Sequence, residues 1–308
     1  MTSLRLVVAG SPDAAVPTLE VLAASSHEIA RVITRPAAPL GRRRVLTPTP
    51  VAAAATAHGI PVLEATRLSE LEQQLLPLEI DLGVIVAYGA LVREPLLSWP
   101  RLGWINLHFS LLPRWRGAAP VQHAIIAGDS STGATVFQLT AGLDEGDWFA
   151  QLTTPIGAQR TAGALLDELS MSGAALVRDV VDSLATGTGV SHPQEGEPTF
   201  APKLTRDDAR VRWNESADRV HARVRGVTPE PGAFTLWGDV PVKILEAAIA
   251  HDAPRVLPGV VVREAGRVLV GTSTSPLLLV RIQPAGRSAM SATDWSRGLA
   301  TDSAVVFA

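Results

Sequence analysis

The chain has 308 residues, 46% hydrophobic and 19% charged, which is enough for about two domains with sizeable cores and excludes compositional disorder. Its formal net charge of -3 excludes a polycation, so any nucleic-acid partner has to be met by a local basic patch. No cysteine is present, which removes disulfides, thiol nucleophiles and thiolate metal sites together and fits a reducing, cytoplasmic compartment.

The first elements alternate strand and helix. Leu4–Ala9 is short, apolar and rich in β-branched residues, and predicts a buried strand. Gly10, Ser11, Pro12 and Asp13 end it too early for a secretory signal. No uninterrupted apolar run reaches the roughly 20 residues that span a bilayer, so no membrane partner is expected. Ala14–Ser25 predicts an amphipathic helix and Glu28–Thr34 a second strand. Thr49 and Pro50 read as N-cap and first residue of a helix over Val51–His58, which Gly59 stops. Leu82–Val86, Trp104–Leu107, Gly133–Leu139 and Trp148–Thr154 predict further strands, and Ala162–Ala185 a long helix. Strands alternating with helices predict an α/β fold with a Rossmann-like open, mostly parallel sheet.

Thr186–Leu204 is rich in Gly and Pro and poor in apolar residues, the signature of a linker. Beyond it the pattern changes. Asp218–Val227 predicts a helix, followed by five short strands: Ala233–Trp237, Val240–Ala248, Gly259–Arg263, Val268–Gly271 and Leu277–Ile282. Such spacing predicts a small OB-like β-barrel. The expected division is a catalytic domain over 1–189, a linker over 190–204 and a C-terminal OB-like domain over 205–308. Residues 1–200 carry 13 Lys and Arg against 19 Asp and Glu, whereas residues 201–308 carry 14 against 11. The second domain is therefore the better candidate to meet a polyanion, although such an excess is ordinary for a small domain.

Ligands of open α/β sheets sit beyond the carboxyl ends of the strands. Asn106 and His108 stand at that end of one strand, Ala87–Gly89 at that end of another, and Asp144 in the GLDEGD loop after a third. An amide, an imidazole and a carboxylate would thus meet at one edge. Asp144 could hold and charge His108. Asn106 could donate to a developing oxyanion, and His108 could do the same or shuttle a proton. The set suits acyl or one-carbon transfer to an amine better than redox chemistry. Each residue also has an ordinary reading: Asn106 fixing a turn, His108 a satisfied core histidine, Asp144 a turn residue. A Ser110–His108–Asp144 hydrolase triad is conceivable, but Ser110 lacks a G-x-S-x-G elbow. His108, His123 and Asp144 lack metal-ligand spacing, so no metal is expected. His27 and His58 read as isolated surface positions, and VVAGSPDAAV lacks the dinucleotide fingerprint.

INLHFSLLPRWRGAAPVQHAI followed by GDSSTGATVFQLTAGLDEGD resembles the formyltransferases that use 10-formyltetrahydrofolate. AGSPDAAVPTLEVL at the start, VVAYGALV before the site and QPAGRSAMS near the end keep the same order. PRWRGAAPVQ and QPAGRSAMS narrow the resemblance to the branch acting on initiator methionyl-tRNA.

The resemblance implies formyl transfer to the α-amine of methionine on that tRNA, for initiation of translation. It implies that Asn106 and a protonated His108 stabilise the tetrahedral oxyanion, that Asp144 keeps His108 charged and oriented and helps manage the proton lost by the amine, and that no metal takes part. It further implies folate binding by Ser110, Leu111, Leu112 and Pro113, with Tyr88 and Leu91 as pocket walls. The basic loop RVITRPAAPLGRRRVLTPTP is implied to meet the tRNA acceptor end through Arg35, Arg42, Arg43 and Arg44, of which Arg42 after Gly41 matches best. Taken alone, that run reads as a solvated basic loop. Phe109 departs from the family, whose members commonly carry Gly there, and implies a local packing change beside His108. Competing readings are a folate-dependent formyltransferase acting on a sugar or nucleotide amine, an RNA-binding protein with a degenerate α/β domain, and a Ser110 hydrolase.

Overall fold

The structure, a computed structural model, describes residues 3–41, 43–299 and 305–308. Two compact units divide the chain. One comprises Met1–Pro120, Thr132–Thr154 and Leu166–Ala201, the other Val121–Ser131, Pro155–Leu165 and Pro202–Ala308.

The first unit is built on β1 (Arg5–Gly10), α1 (Val16–Ala23), β2 (Glu28–Thr34), α2 (Pro50–Ala57), β3 (Val62–Glu64), β4 (Leu82–Val86), β5 (Trp104–His108), β6 (Ser131–Gln138) and β7 (Trp148–Pro155). Its sheet runs in the order β7-β6-β5-β4-β1-β2-β3. Pairing is parallel from β3 through β5 and turns antiparallel between β5 and β6. The chain works outward from β1 to β3 and then returns to the other side of β1 with β4. The carboxyl ends of β1 and β4 therefore flank the switch point where such sheets open a crevice. All five residues of β4 are buried. A strand buried on both faces reads as a continuous apolar run, which is why LGVIV is legible without alternation. Gly83 of β4 lies in register with Trp104 of β5. A Cβ on Gly83 would stand 2.1 Å from the indole, so the glycine is what lets Trp104 lie flat across the sheet.

Thr49 caps α2, its hydroxyl accepting from the Ala52 N–H at 3.1 Å, and Pro50 occupies the first turn, as the sequence predicts. Within the basic run read from sequence as a loop, Ala38–Leu40 pairs antiparallel with Val45–Thr47. This is a hairpin whose turn is closed by Arg44 N–H donating to Gly41 O at 3.1 Å. Leu40, Val45 and Leu46 are exposed on it. His27 is not a surface residue. It is buried, its Nδ1 accepts the Leu4 N–H at 3.1 Å, and its Nε2 meets Asp182 at 3.0 Å. His58 is exposed, as expected, but not isolated: it is bonded to Glu20 at 2.6 Å.

In the chain order that follows, α3 (Pro120–Ala127) and α4 (Ala162–Ala185) each run through a unit boundary. The second unit carries α5 (Ala217–Gly226), β8 (Phe234–Trp237), β9 (Val240–Ile249), β10 (Val260–Glu264), β11 (Arg267–Val270), β12 (Leu277–Pro284), α6 (Ala292–Arg297) and β13 (Val305–Val306). Its antiparallel sheet runs β8-β9-β12-β11-β10-β13. The two outer strands meet: Trp237 bridges Phe307, and Leu236 and Ala308 exchange backbone hydrogen bonds of 3.1 and 2.9 Å. The sheet thereby closes into a small barrel. Inside, Phe307 stacks between Trp213 and Trp295 at centroid distances of 6.0 and 5.8 Å.

α5 is pinned to β9 by His221, which is buried and whose Nε2 bonds the Ala247 carbonyl at 3.1 Å. Burial, helped by the Arg225 charge, holds this imidazole below its ordinary value. The unfolded chain then binds the proton more readily, so His221 contributes stability above about pH 6.5 that is lost as pH falls through the folded value. His221→Gln is expected to flatten the fall in urea midpoint between neutral and mildly acid pH. An unchanged slope would remove His221 from the acid response.

Candidate active site

In β5 successive side chains point to opposite faces, so Asn106 and His108 share one. β6 lies alongside, pairing Phe137 with Asn106 and Thr135 with His108. The imidazole is 6% exposed and meets the Phe137 ring edge-on at 6.4 Å. Its Nε2 lies 2.8 Å from the Trp115 carbonyl. A carbonyl only accepts, so Nε2 carries a proton and the other ring nitrogen is left to act. That nitrogen, Nδ1, faces Asp144 Oδ2 at 3.7 Å. The same carboxylate oxygen accepts the Gly117 N–H at 2.8 Å. Asp144 sits at φ +48°, a left-handed conformation that turns its side chain back toward β5. The Asn106 amide is half-buried and has no hydrogen-bond partner among the described residues. Burial pushes the His108 pKa down, against the opposing pull of the Asp144 charge and the Trp115 carbonyl. Burial thus favours the neutral imidazole, while its Nδ1 faces a negative charge that favours protonation.

The run after β5 folds over itself. Ser110 is fully buried and its hydroxyl donates to the Arg114 carbonyl at 2.6 Å. Thr135 Oγ1 donates to Ser110 O at 2.6 Å and accepts from Leu112 N at 3.3 Å and Gln151 Nε2 at 3.1 Å. Neither His108 nitrogen is spent on Ser110, so the triad arrangement of a serine hydrolase is not formed. Leu112 is buried, whereas Leu111 and Pro113 are half-exposed. Phe109 is accommodated as a buried side chain, 7% exposed.

Other residues singled out from the sequence are more scattered. Tyr88 is 1% exposed and its hydroxyl donates to Ala65 O at 3.2 Å, so its ring belongs to the core. Leu91 is 67% exposed at the rim of a cavity shared with Leu68, Ala90 and Leu96. Arg35 donates to Gly89 O at 2.6 Å and to Tyr88 O at 3.4 Å, tying the end of β2 to the end of β4. Arg43 and Arg44 are exposed in the hairpin turn, and Arg42 lies outside the described residues. The structure also brings in Trp115, Gly117, Arg116 and Gln194, none of them singled out from the sequence. Trp115, Arg116 and Gly117 carried a signal as members of the PRWRGAAPVQ motif, whereas Gln194 carried none. Among the described residues no group of three His, Cys, Asp or Glu side chains is placed to hold a metal ion. No described helix is long and apolar enough to cross a membrane.

A doubly wound sheet with an amide, an imidazole and a carboxylate at one strand edge makes a site suited to acyl or one-carbon transfer to an amine. Residues 4–181 match the formyl transferase family and residues 203–300 match its C-terminal domain. A methionyl-tRNA formyltransferase of Clavibacter sepedonicus is 57% identical over 299 residues, covering 97% of this chain and 98% of that protein. Another, of Acidothermus cellulolyticus, is 48% identical with 96% and 97% covered. The chain belongs to the methionyl-tRNA formyltransferase family. The fold is shared more widely. An N-formyltransferase of Helicobacter canadensis, solved with folinic acid and dTDP-3-aminofucose, superposes with a TM-score of 0.69 at 15% identity, covering 90% of this chain and 98% of that one.

Proposed function

We propose that the protein transfers the formyl group of 10-formyltetrahydrofolate to the α-amine of methionine esterified to initiator tRNA, with Asn106, His108 and Asp144 as catalytic residues. The observation that carries this is the Asn106 amide on the same strand face as a buried His108 whose Nδ1 faces Asp144 at 3.7 Å. The folate supplies an activated formyl carbon. The amine attacks that carbon, and the Asn106 amide donates to the oxyanion that forms. His108 takes the proton the amine loses, and Asp144 stabilises the resulting imidazolium. The carbon–nitrogen bond to the folate breaks, and His108 returns the proton to the departing nitrogen. Starting neutral suits His108 to this task better than starting charged.

The residues present fit a folate. Leu111, Pro113 and Leu91 offer apolar surface, Leu112 is buried, and Ser110 and Tyr88 brace those loops from behind through their buried hydroxyl bonds. Arg35 is engaged with backbone carbonyls, which leaves phosphate contacts to Arg43 and Arg44 on the hairpin and to Arg42 next to them in sequence. In this reading residues 1–189 form the catalytic domain, 190–204 a linker, and 205–308 a tRNA-binding domain, and the reaction takes place in the cytoplasm. A sugar amine as acceptor draws support only from structural neighbours at 13 to 19% identity, against 45 to 57% for the tRNA-acting relatives.

The test is direct. The protein is given 10-formyltetrahydrofolate and methionylated initiator tRNA, and formylmethionine is followed. No product, with formylation of a nucleotide-linked amino sugar instead, would sink the reading. Replacing both Arg43 and Arg44 by Ala is expected to raise the KM for tRNA and reduce the salt slope by about 1 to 2, leaving the folate KM unchanged. An unchanged salt slope would take the hairpin out of tRNA binding.

A further inference from the structure

The run that reads as a linker does more than connect. Gln194 Nε2 donates to the Asp144 carbonyl and to the Gly146 carbonyl, both at 2.8 Å. Its Oε1 accepts from Arg116 Nη2 at 2.7 Å and from Nε at 3.2 Å. Only one orientation of the amide satisfies two carbonyls on one side and a guanidinium on the other. Arg116 adjoins Gly117, whose N–H holds the Asp144 carboxylate. The contacts form a closed ring: Asp144, Gln194, Arg116, Gly117 and back to Asp144. A second set fixes the ring to the same segment. Trp115 N donates to Thr199 Oγ1 at 2.9 Å, Arg116 N to Thr199 O at 2.8 Å, and Ala118 N to Ala201 O at 2.8 Å. Trp148 and His192 exchange backbone hydrogen bonds of 2.9 and 2.8 Å, and their rings lie tilted against each other at 4.8 Å. The segment 192–201 thus grips both the turn that orients His108 and the loop that carries Asp144.

We infer that Gln194, anchored by Arg116, is a positioning residue for the reaction. It holds the left-handed Asp144 turn by both of its carbonyls so that the carboxylate faces His108 Nδ1. Asp144 at φ +48° is a conformation that persists only where its surroundings over-determine it. Gln194 is the side chain that does so, and it acts only through Asp144.

This inference rests on the catalytic reading of Asp144, and the test separates the two. Gln194→Ala and Arg116→Ala are each expected to lower kcat by about 10- to 100-fold, with both KM values within about threefold. Because they break one ring, the double variant should lose no more than the worse single one. In the ligand-free protein the His108 ring nitrogen signals should shift in both variants, while the thermal midpoint stays within a few degrees. A wild-type kcat in Gln194→Ala, a loss confined to KM, losses that multiply in the double variant, or unmoved His108 signals would each overturn the inference. If the wild-type protein formylates no methionyl-tRNA, the catalytic reading fails instead, and the ring-nitrogen comparison still decides whether Gln194 positions Asp144.

Discussion

His108→Asn is expected to lower formyl transfer by about 100- to 10,000-fold, the range that removal of a general base usually costs. The Asn amide overlays Nδ1 and falls short of the Trp115 carbonyl, so the bond from Nε2 is lost along with the base. The amide cannot accept a proton from the attacking amine. The loss should therefore lie in kcat, with the KM for tRNA little changed. Asp144→Asn tests the same pair from the other side. The Asp144 charge raises the His108 pKa against burial, so its removal lets the pKa fall further. The acid limb of kcat/KM should then move to lower pH while the plateau drops, because a weaker base, once protonated, is no longer stabilised. Ser110→Ala is the contrast. Its hydroxyl is occupied with Arg114, so the expected cost is about 1 kcal/mol of stability and little activity. A His108→Asn protein within tenfold of wild type, or a Ser110→Ala protein without activity, would invert these roles.

These roles start from residues that stand close together in the sequence, and the reason they are legible is physical. β4 and β5 are buried on both faces, so the strand ends announce themselves where polar side chains interrupt an apolar run. Asn106 and His108 are two apart on an extended strand, which puts them on one face without further information. Thr49 and Pro50 mark the start of α2 by their own backbone chemistry. Where the reading fails, the cause is equally specific. Tyr88 follows Ala87, which sits at φ +47°, and that reversal turns the ring into the core. No alternation rule anticipates it. The hairpin strands of three residues each are too short to show a period. The barrel closes through Phe307 and Ala308, whose partners lie about seventy residues earlier on β8, and such pairings leave no local trace. Gln194 is the clearest case. It stands among Gly, Pro and Glu residues in a run whose composition says linker, and its use depends entirely on where residues 144 and 116 are brought.

Gly117 shows how narrowly this arrangement is held. Its φ of +121° belongs to a region that side chains rarely adopt, and a Cβ there would stand 2.7 Å from the Ala201 carbonyl oxygen. The close approach is what allows Arg116–Gly117 to pair with Phe200–Ala201, and the same backbone aims the Gly117 N–H at Asp144. Gly117→Ala therefore meets two penalties at one position. Strain and the clash with backbone are expected to cost about 1 to 3 kcal/mol of stability, read as a lower denaturant midpoint with an unchanged slope. The larger effect is chemical. If the strand pair separates to admit the methyl, the Asp144 carboxylate loses its backbone donor and Trp115 shifts with it, so His108 is misaligned at both nitrogens at once. Transfer should fall by more than 10-fold, since displacements of about 1 Å at a reacting group commonly cost 100-fold. The fall should persist at temperatures where the variant is fully folded. Gly128→Ala offers the control, because its φ of +80° is also left-handed, yet nothing lies within 4 Å of the added methyl. It should lose stability alone. Equal activity losses in the two variants would mean that backbone strain, not the placement of Asp144, limits the reaction.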